Sequence, residues 1–414
     1  MKIFVASWFY VPVTTSEALV TYKLLANSEN EYVVCSARSN KWSYKKDSEL
    51  KSDNITQYII ETDDFNEYVE KAVELYKELI KTQKFDAIMT RSLPPESQLV
   101  GFKIKEIDKE VPWIASLADP IGNNPYETTF FFLNNRHKII RKLYSNAPHM
   151  FMEKICPLVK KPAFIKMSQL YRLEKKVLEK ADVIITPTEV QAKYIMHKEE
   201  IYNKKSLVVP HSYDKRLYKE VPAIKNEKFT FTFIGQSDAY RSIEPVIRAV
   251  KLIKDINPEL FNKIKIRLIG NIPSEMKDMV YVYFLQDSIS IEGTCDYFES
   301  LKIMQESDCL IHVDAWFDML QHGSIFFAAK IADYLGARRP ILGITDPQCP
   351  AGQIITACGG MCCKADPADV AKAMVKIMDG NITVNEEQAE KFSSVNVAKE
   401  YDEAIKRRLF KDGK

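Results

Sequence analysis

Hydrophobic positions along the chain follow two alternating periods. Short apolar runs read as strands at Lys2–Trp8, Glu31–Ser36, Phe85–Thr90, Pro112–Ala118 and Ala181–Thr188. Five more follow at Phe229–Ile234, Lys265–Ile269, Ile289–Glu292, Cys309–Val313 and Pro340–Ile344. Between the runs the period becomes that of a helix with one buried face. The clearest case is Asp64–Thr82, where Val69, Val73, Leu75, Tyr76 and Leu79 carry the apolar positions. Thr14-Thr15-Ser16-Glu17 has the spacing of a capping box and predicts a helix from Thr15 to Leu25. Helices are also predicted between 90 and 112 and over 167–180, 242–254, 296–306, 325–336, 366–379 and 395–411. Strands alternating with helices specify βαβ units and a parallel sheet.

Length sharpens this into two sheets, because 414 residues suit two domains of roughly 150–200 residues each. The polar, aperiodic stretch at 214–228, DKRLYKEVPAIKNEK, is the expected linker between residues 1–213 and 229–394, with a terminal helical segment at 395–414. The chain is 46% hydrophobic and 28% charged with a net charge of +2, which calls for no nucleic-acid partner. No apolar run approaches the roughly 20 residues that span a bilayer. Met1–Tyr10 lacks a cleavage region and reads as a first strand rather than a signal peptide. The eight cysteines form no C-x-x-C pair, and the six histidines show no metal-ligand spacing. Buried thiols in a reducing cytoplasm are expected, with no metal and no cofactor.

The segment most specific to a chemistry is Ser324–Thr345, SIFFAAKIADYLGARRPILGIT. It predicts a close-packed helix carrying Lys330 and Asp333 three residues apart on one face, stopped at Gly336 and followed by a buried strand. Arg338 and Arg339 fall at the helix's negative end. After the strand Phe229–Ile234, Gly235 allows a tight turn, and Arg241 at the entrance of the next helix has the planar donors that hold a diphosphate.

The combination K-x-x-[DE]-Y-L-x-x-x-[KR]-P-[IV]-L at Lys330–Leu342 resembles the donor-site segment of GT-B sugar-nucleotide glycosyltransferases, in particular glycosyltransferase family 4. Four other segments agree with the resemblance in order and position. They are the strand end at Asp119-Pro120, the strand ADVIITPT at 181–188, the turn Gly235–Arg241, and Val208-Val-Pro-His-Ser-Tyr-Asp214. The resemblance implies two Rossmann-like domains facing a cleft, with the last helix crossing back to the first domain. It implies a retaining transfer of a hexosyl group from a UDP- or GDP-linked donor to a glycan or lipid-linked acceptor, in cell-surface polysaccharide synthesis. Gly235, Gln236, Arg241 and Lys330 would then meet the donor diphosphate, Asp333 the ribose, and Asp119 the transferred sugar. Arg91, Thr15 and Asp314 are weaker candidates on the acceptor or sugar side; Arg91 alternatively caps the Pro94-Pro95-Glu96 turn, and Thr15 alternatively serves as a helix cap.

Two positions depart from the family pattern. Gln236 stands where an Arg is common, and Ile325 stands where a glutamate would complete E-x7-E with Asp333. They leave open two other readings, a nucleotide-sugar 2-epimerase of the same fold and a catalytically silent binding subunit. From 135 to 176, eleven Lys and Arg face only Glu153 and Glu174, with apolar residues between them. This pattern suits peripheral contact with an anionic membrane, on the inner face if the protein is cytoplasmic.

Overall fold

The computed structural model describes residues 1–39, 50–134, 142, 144, 147–219, 226–318, 320, 322–380 and 382–410. The chain forms two compact units, Met1–Pro210 with Val397–Lys414, and His211–Asn396. Part of the basic stretch, including Arg136, Lys138 and Arg141, lies outside the described residues.

The first unit is built on a seven-stranded parallel sheet. Its strands are β1 (Lys2–Ala6), β2 (Glu31–Arg38), β3 (Ile55–Glu61), β4 (Ala87–Arg91), β5 (Trp113–Ser116), β6 (Val183–Thr186) and β7 (Ser206–Val208), in the order β3-β2-β1-β4-β5-β6-β7. On one face Phe4, Tyr76 and Phe85 pack ring against ring beneath the Phe65–Leu79 helix. The other face is covered in part by the last helix, Ser394–Leu409, through Val397, Ala398, Tyr401 and Ile405. Asp402 of that helix accepts from Ser28 Oγ, Asn30 Nδ2 and the Glu29 N–H, so the crossing back rests on both apolar and polar contacts.

The second unit carries a six-stranded parallel sheet in the order β10-β9-β8-β11-β12-β13. The strands are β8 (Phe229–Ile234), β9 (Ile264–Ile269), β10 (Ile289–Glu292), β11 (Cys309–Val313), β12 (Ile341–Ile344) and β13 (Met361–Cys363). The strand order reverses between β1 and β4 in one unit and between β8 and β11 in the other. Such reversals open a crevice at the carboxyl ends of the strands, where doubly wound sheets bind ligands. These two Rossmann-like units are those of the GT-B fold.

Several boundaries differ from the sequence expectation. β3, β7 and β13 were not expected. β3 is an edge strand whose Tyr58 and Ile59 are exposed, and β7 and β13 are three residues long, so none produces a clean apolar run. The polar segment after Pro210 belongs to the second unit. Tyr213 is buried and bridges Ser393, the Tyr218 hydroxyl donates to the Asp333 carbonyl, and Asn226 donates to Asp308.

Candidate functional site

At the β8/β11 reversal the chain leaves β8 through Gly235, at φ +156°, and leaves β9 through Gly270, at φ +125°. The two turns touch: a Cβ on Gly270 would stand 2.0 Å from the Gly235 carbonyl oxygen. Only glycine permits that approach. Tyr334 ties the overlying helix, Ala329–Gly336, to both central strands. Its hydroxyl accepts from the Ile234 N–H and donates to the Ile311 carbonyl.

Lys330 stands in the first turn of this helix. Its Nζ donates to the Ile234 carbonyl at 2.5 Å, which aims the ammonium at the end of β8. A Cβ on Gly235 would lie only 3.3 Å from that nitrogen. Burial pushes Lys330 down to about 8, with Asp333 and Cys295 opposing the shift and Arg241 adding to it. At a value of about 8 it is still largely cationic at neutral pH, and among the described residues no carboxylate forms an ion pair with it. Asp333, one helical turn on, is buried and accepts from the Tyr297 hydroxyl at 3.1 Å.

Arg241 lies in the loop after Gly235 rather than at a helix entrance, because the helix begins three residues later, at Glu244. Asp238 shapes this loop: one carboxylate oxygen accepts from the Tyr240 and Arg241 N–H groups, and the other pairs with Arg241 Nη2 at 3.1 Å. Arg241 is therefore placed near Lys330 with part of its charge already balanced. Gln236 is exposed.

His312 was not singled out by sequence because it has no partner spacing. It sits on β11, opposite Gly343 of β12, one residue beyond the Ile311–Phe233 pair. It is 7% exposed, and among the described residues its Nε2 has no hydrogen-bond partner. Burial, with Arg241 and Lys330 close by, pushes it down to about 3, so the imidazole is neutral. The signal available in the sequence was a polar residue inside an otherwise apolar strand, Cys-Leu-Ile-His-Val.

Asp314 is a structural hub rather than an open sugar-side acid. It accepts from the Ala315 N–H, Ser324 Oγ, Thr345 Oγ1 and Cys349 Sγ. Burial still raises it to about 6. The expected helix from 325 starts only at Ala329, and Ile325 is buried in the irregular segment before it. Gly336 ends the helix not by a left-handed turn but by leaving room for Tyr218, whose hydroxyl a Cβ would meet at 2.4 Å. The left-handed residue is Arg338, at φ +56°. Arg338 pairs with Glu386 and Glu390, and Arg339 donates to the Gln305 carbonyl.

In the first unit Asp119 follows β5 at its carboxyl end and is half-buried. Arg91, at the end of β4, is 4% exposed; it pairs with Glu17 at 2.8 Å and donates to Ser116 Oγ at 2.6 Å. It thus neither opens to a ligand nor caps the Pro94 turn. This pair also replaces the expected capping box. Thr15, not Thr14, is the N-cap and accepts from the Ala18 N–H, while Glu17 turns inward to Arg91. Burial raises Glu17, with Arg91 pulling it back.

Among solved structures, the chain is similar to HepE of Anabaena, determined in complex with UDP and glucose. Identity is 13%, coverage 98% of this chain and 99% of that one, and the TM-score 0.63. It is also similar to sucrose-phosphate synthase of Thermosynechococcus elongatus, at 14% identity, 99% coverage of both chains and a TM-score of 0.64. A putative UDP-N-acetylglucosamine 2-epimerase of Listeria monocytogenes matches at 12% identity, covering 100% of this chain and 97% of that one, with a TM-score of 0.56. No protein-family model and no curated protein matches the chain.

Proposed function

We propose that the chain is a retaining glycosyltransferase of the family 4 type, moving a hexosyl group from a UDP- or GDP-linked donor to a glycan or lipid-linked acceptor. The observation that carries this is the placement of Lys330 on the Ile234 carbonyl at the β8/β11 reversal, with Arg241 near it and Asp333 one turn beyond. Lys330 and Arg241 meet the donor diphosphate beside Gly235 and Gln236. Asp333 accepts from the ribose hydroxyls next to Tyr297. Negative charge grows on the diphosphate as its bond to the sugar breaks, and cations fixed in place beforehand stabilise that charge without reorganising. The two cations supply this stabilisation without a metal, and no enzyme nucleophile is needed for retention. Asp119, in the first unit, is assigned as the catalytic carboxylate that faces the transferred sugar.

The exposed face formed by Leu158, Lys160, Lys161, Ile165 and Lys166 is the proposed contact with anionic lipid, where a lipid-linked acceptor is presented for cell-surface polysaccharide synthesis. This reading places the protein in the cytoplasm, at the membrane's inner face. Among the described residues no helix is long and apolar enough to cross a membrane.

The test is release of nucleotide from a panel of UDP- and GDP-sugars. UDP-glucose is the first to try, because HepE was solved with UDP and glucose. One donor is expected to be hydrolysed slowly, and Lys330→Ala to lower that rate about a hundredfold or more. Nucleotide affinity is expected to decline as pH rises past about 8, where Lys330 loses its proton. Failure of every nucleotide to bind overturns the reading. Epimerised donor in place of free nucleotide identifies a 2-epimerase, and binding without turnover identifies a silent subunit.

A further inference from the structure

His312 has the features of a ligand contact rather than of a core residue. A buried polar atom left unpaired costs about 1–3 kcal/mol, so native folds leave few of them. Here the unpaired atom is Nε2, on a side chain 7% exposed. Its closest carboxylate oxygen, Asp314 Oδ1, is 4.0 Å away, beyond hydrogen-bonding range. Asp314 cannot readily turn toward it, because both its oxygens already accept from other groups.

Position gives the unpaired nitrogen a direction. Along β11, Ile311 and Val313 face the core packed beneath Val246, Ile247 and Val250, whereas Leu310 faces the core beneath Ile331 and Leu335. Alternation puts His312 on the Leu310 face, toward the carboxyl end of the strand and under the helix that starts at Ala329. Lys330 and Arg241 both lie close enough to weigh on the imidazole. With Lys330 and Arg241 nearby, Nε2 has no hydrogen-bond partner among the described residues. An anion held by those cations would provide one.

We propose that His312 donates a hydrogen bond from Nε2 to an oxygen of the diphosphate held by Lys330 and Arg241. This rests on the donor-site reading given above and adds a contact to it. The neutral ring contributes direction rather than charge, and it partly offsets the uncharged Gln236.

The experiment titrates the full chain with UDP and with GDP by calorimetry. It also follows the ring nitrogens of His312 by NMR, assigned by comparison with His312→Asn. The expected result is that the Nε2 signal moves when nucleoside diphosphate is added. His312→Phe then weakens the diphosphate roughly ten- to a hundredfold while its melting temperature stays within a few degrees of the parent's. If UDP or GDP binds the parent but the Nε2 signal is still and His312→Phe binds within twofold, the inference is overturned and the donor-site reading stands. If neither binds the parent, both fall. The NMR signal of the parent protein decides the case even if His312→Phe does not fold.

Discussion

Glu174 offers the most direct check of the electrostatic picture. It is 2% exposed on the Pro162–Lys180 helix, and its Oε2 accepts from the Ile121 and Gly122 N–H groups at 2.8 and 3.0 Å. These are the residues just after Asp119-Pro120. They are pressed onto the helix so closely that a Cβ on Gly122 would stand 2.3 Å from Tyr171 Cα. Burial pushes Glu174 from 4.5 up to about 7, and the two N–H groups only restrain that rise. Between those values the folded chain keeps a proton that the unfolded chain has released. Stability therefore falls as pH rises from about 4.5 to about 7 and is level with respect to this group above it. At about 1.4 kcal/mol per pH unit the loss approaches about 3 kcal/mol.

Glu174→Gln keeps an oxygen for the two N–H groups and cannot ionise. Relative to the parent it should gain about 3 kcal/mol between pH 4.5 and pH 8, whatever fixed cost its amide carries. Urea unfolding followed by tryptophan fluorescence measures this. Trp8 and Trp113 are buried in this unit, whereas Trp316 in the other is exposed. Parallel stability–pH curves for the two proteins would refute the reasoning.

Arg91→Met should destabilise the first unit by about 3–5 kcal/mol in the same assay, because it strands Glu17 in the core. Adding Glu17→Leu should recover most of the loss; a stable Arg91→Met protein would show that the pair is not structural. Gly270→Ala should cost about 2 kcal/mol or more, since its Cβ has no room beside the Gly235 carbonyl and its φ is positive. It should also weaken UDP or GDP binding by displacing the turn next to Lys330, which calorimetry reads directly.

The fold was legible because its central strands read as short runs of apolar and β-branched residues. Phe229–Ile234 and Cys309–Val313 begin and end where the hydrophobic runs do, and so does Ile289–Glu292 at the edge of its sheet. The edge strands β3, β7 and β13 escaped because they are short or turned largely to solvent, as in Ile55–Glu61. Lys330, Asp333 and Gly235 could be picked out because charge or glycine interrupts an apolar context, and Arg241 because it follows the Gly235 turn. The structure brings Lys330 to the end of β8 beside Gly235. What sequence could not supply was partnership across distance. Arg91 looked available until Glu17, 74 residues away, was seen to hold it, and Asp314 looked open until Ser324, Thr345 and Cys349 were found around it.

The same limit changes how the departure at Ile325 reads. As a sequence, Ile325 is a glutamate missing from a helix two turns before Asp333. In the structure no helix spans that interval: residues 324–328 form no regular element, the helix starts at Ala329, and Ile325 is buried. A carboxylate there would be desolvated without the helical register that relates it to Asp333, and burying an unpaired charge costs several kcal/mol. An apolar residue is what this backbone requires.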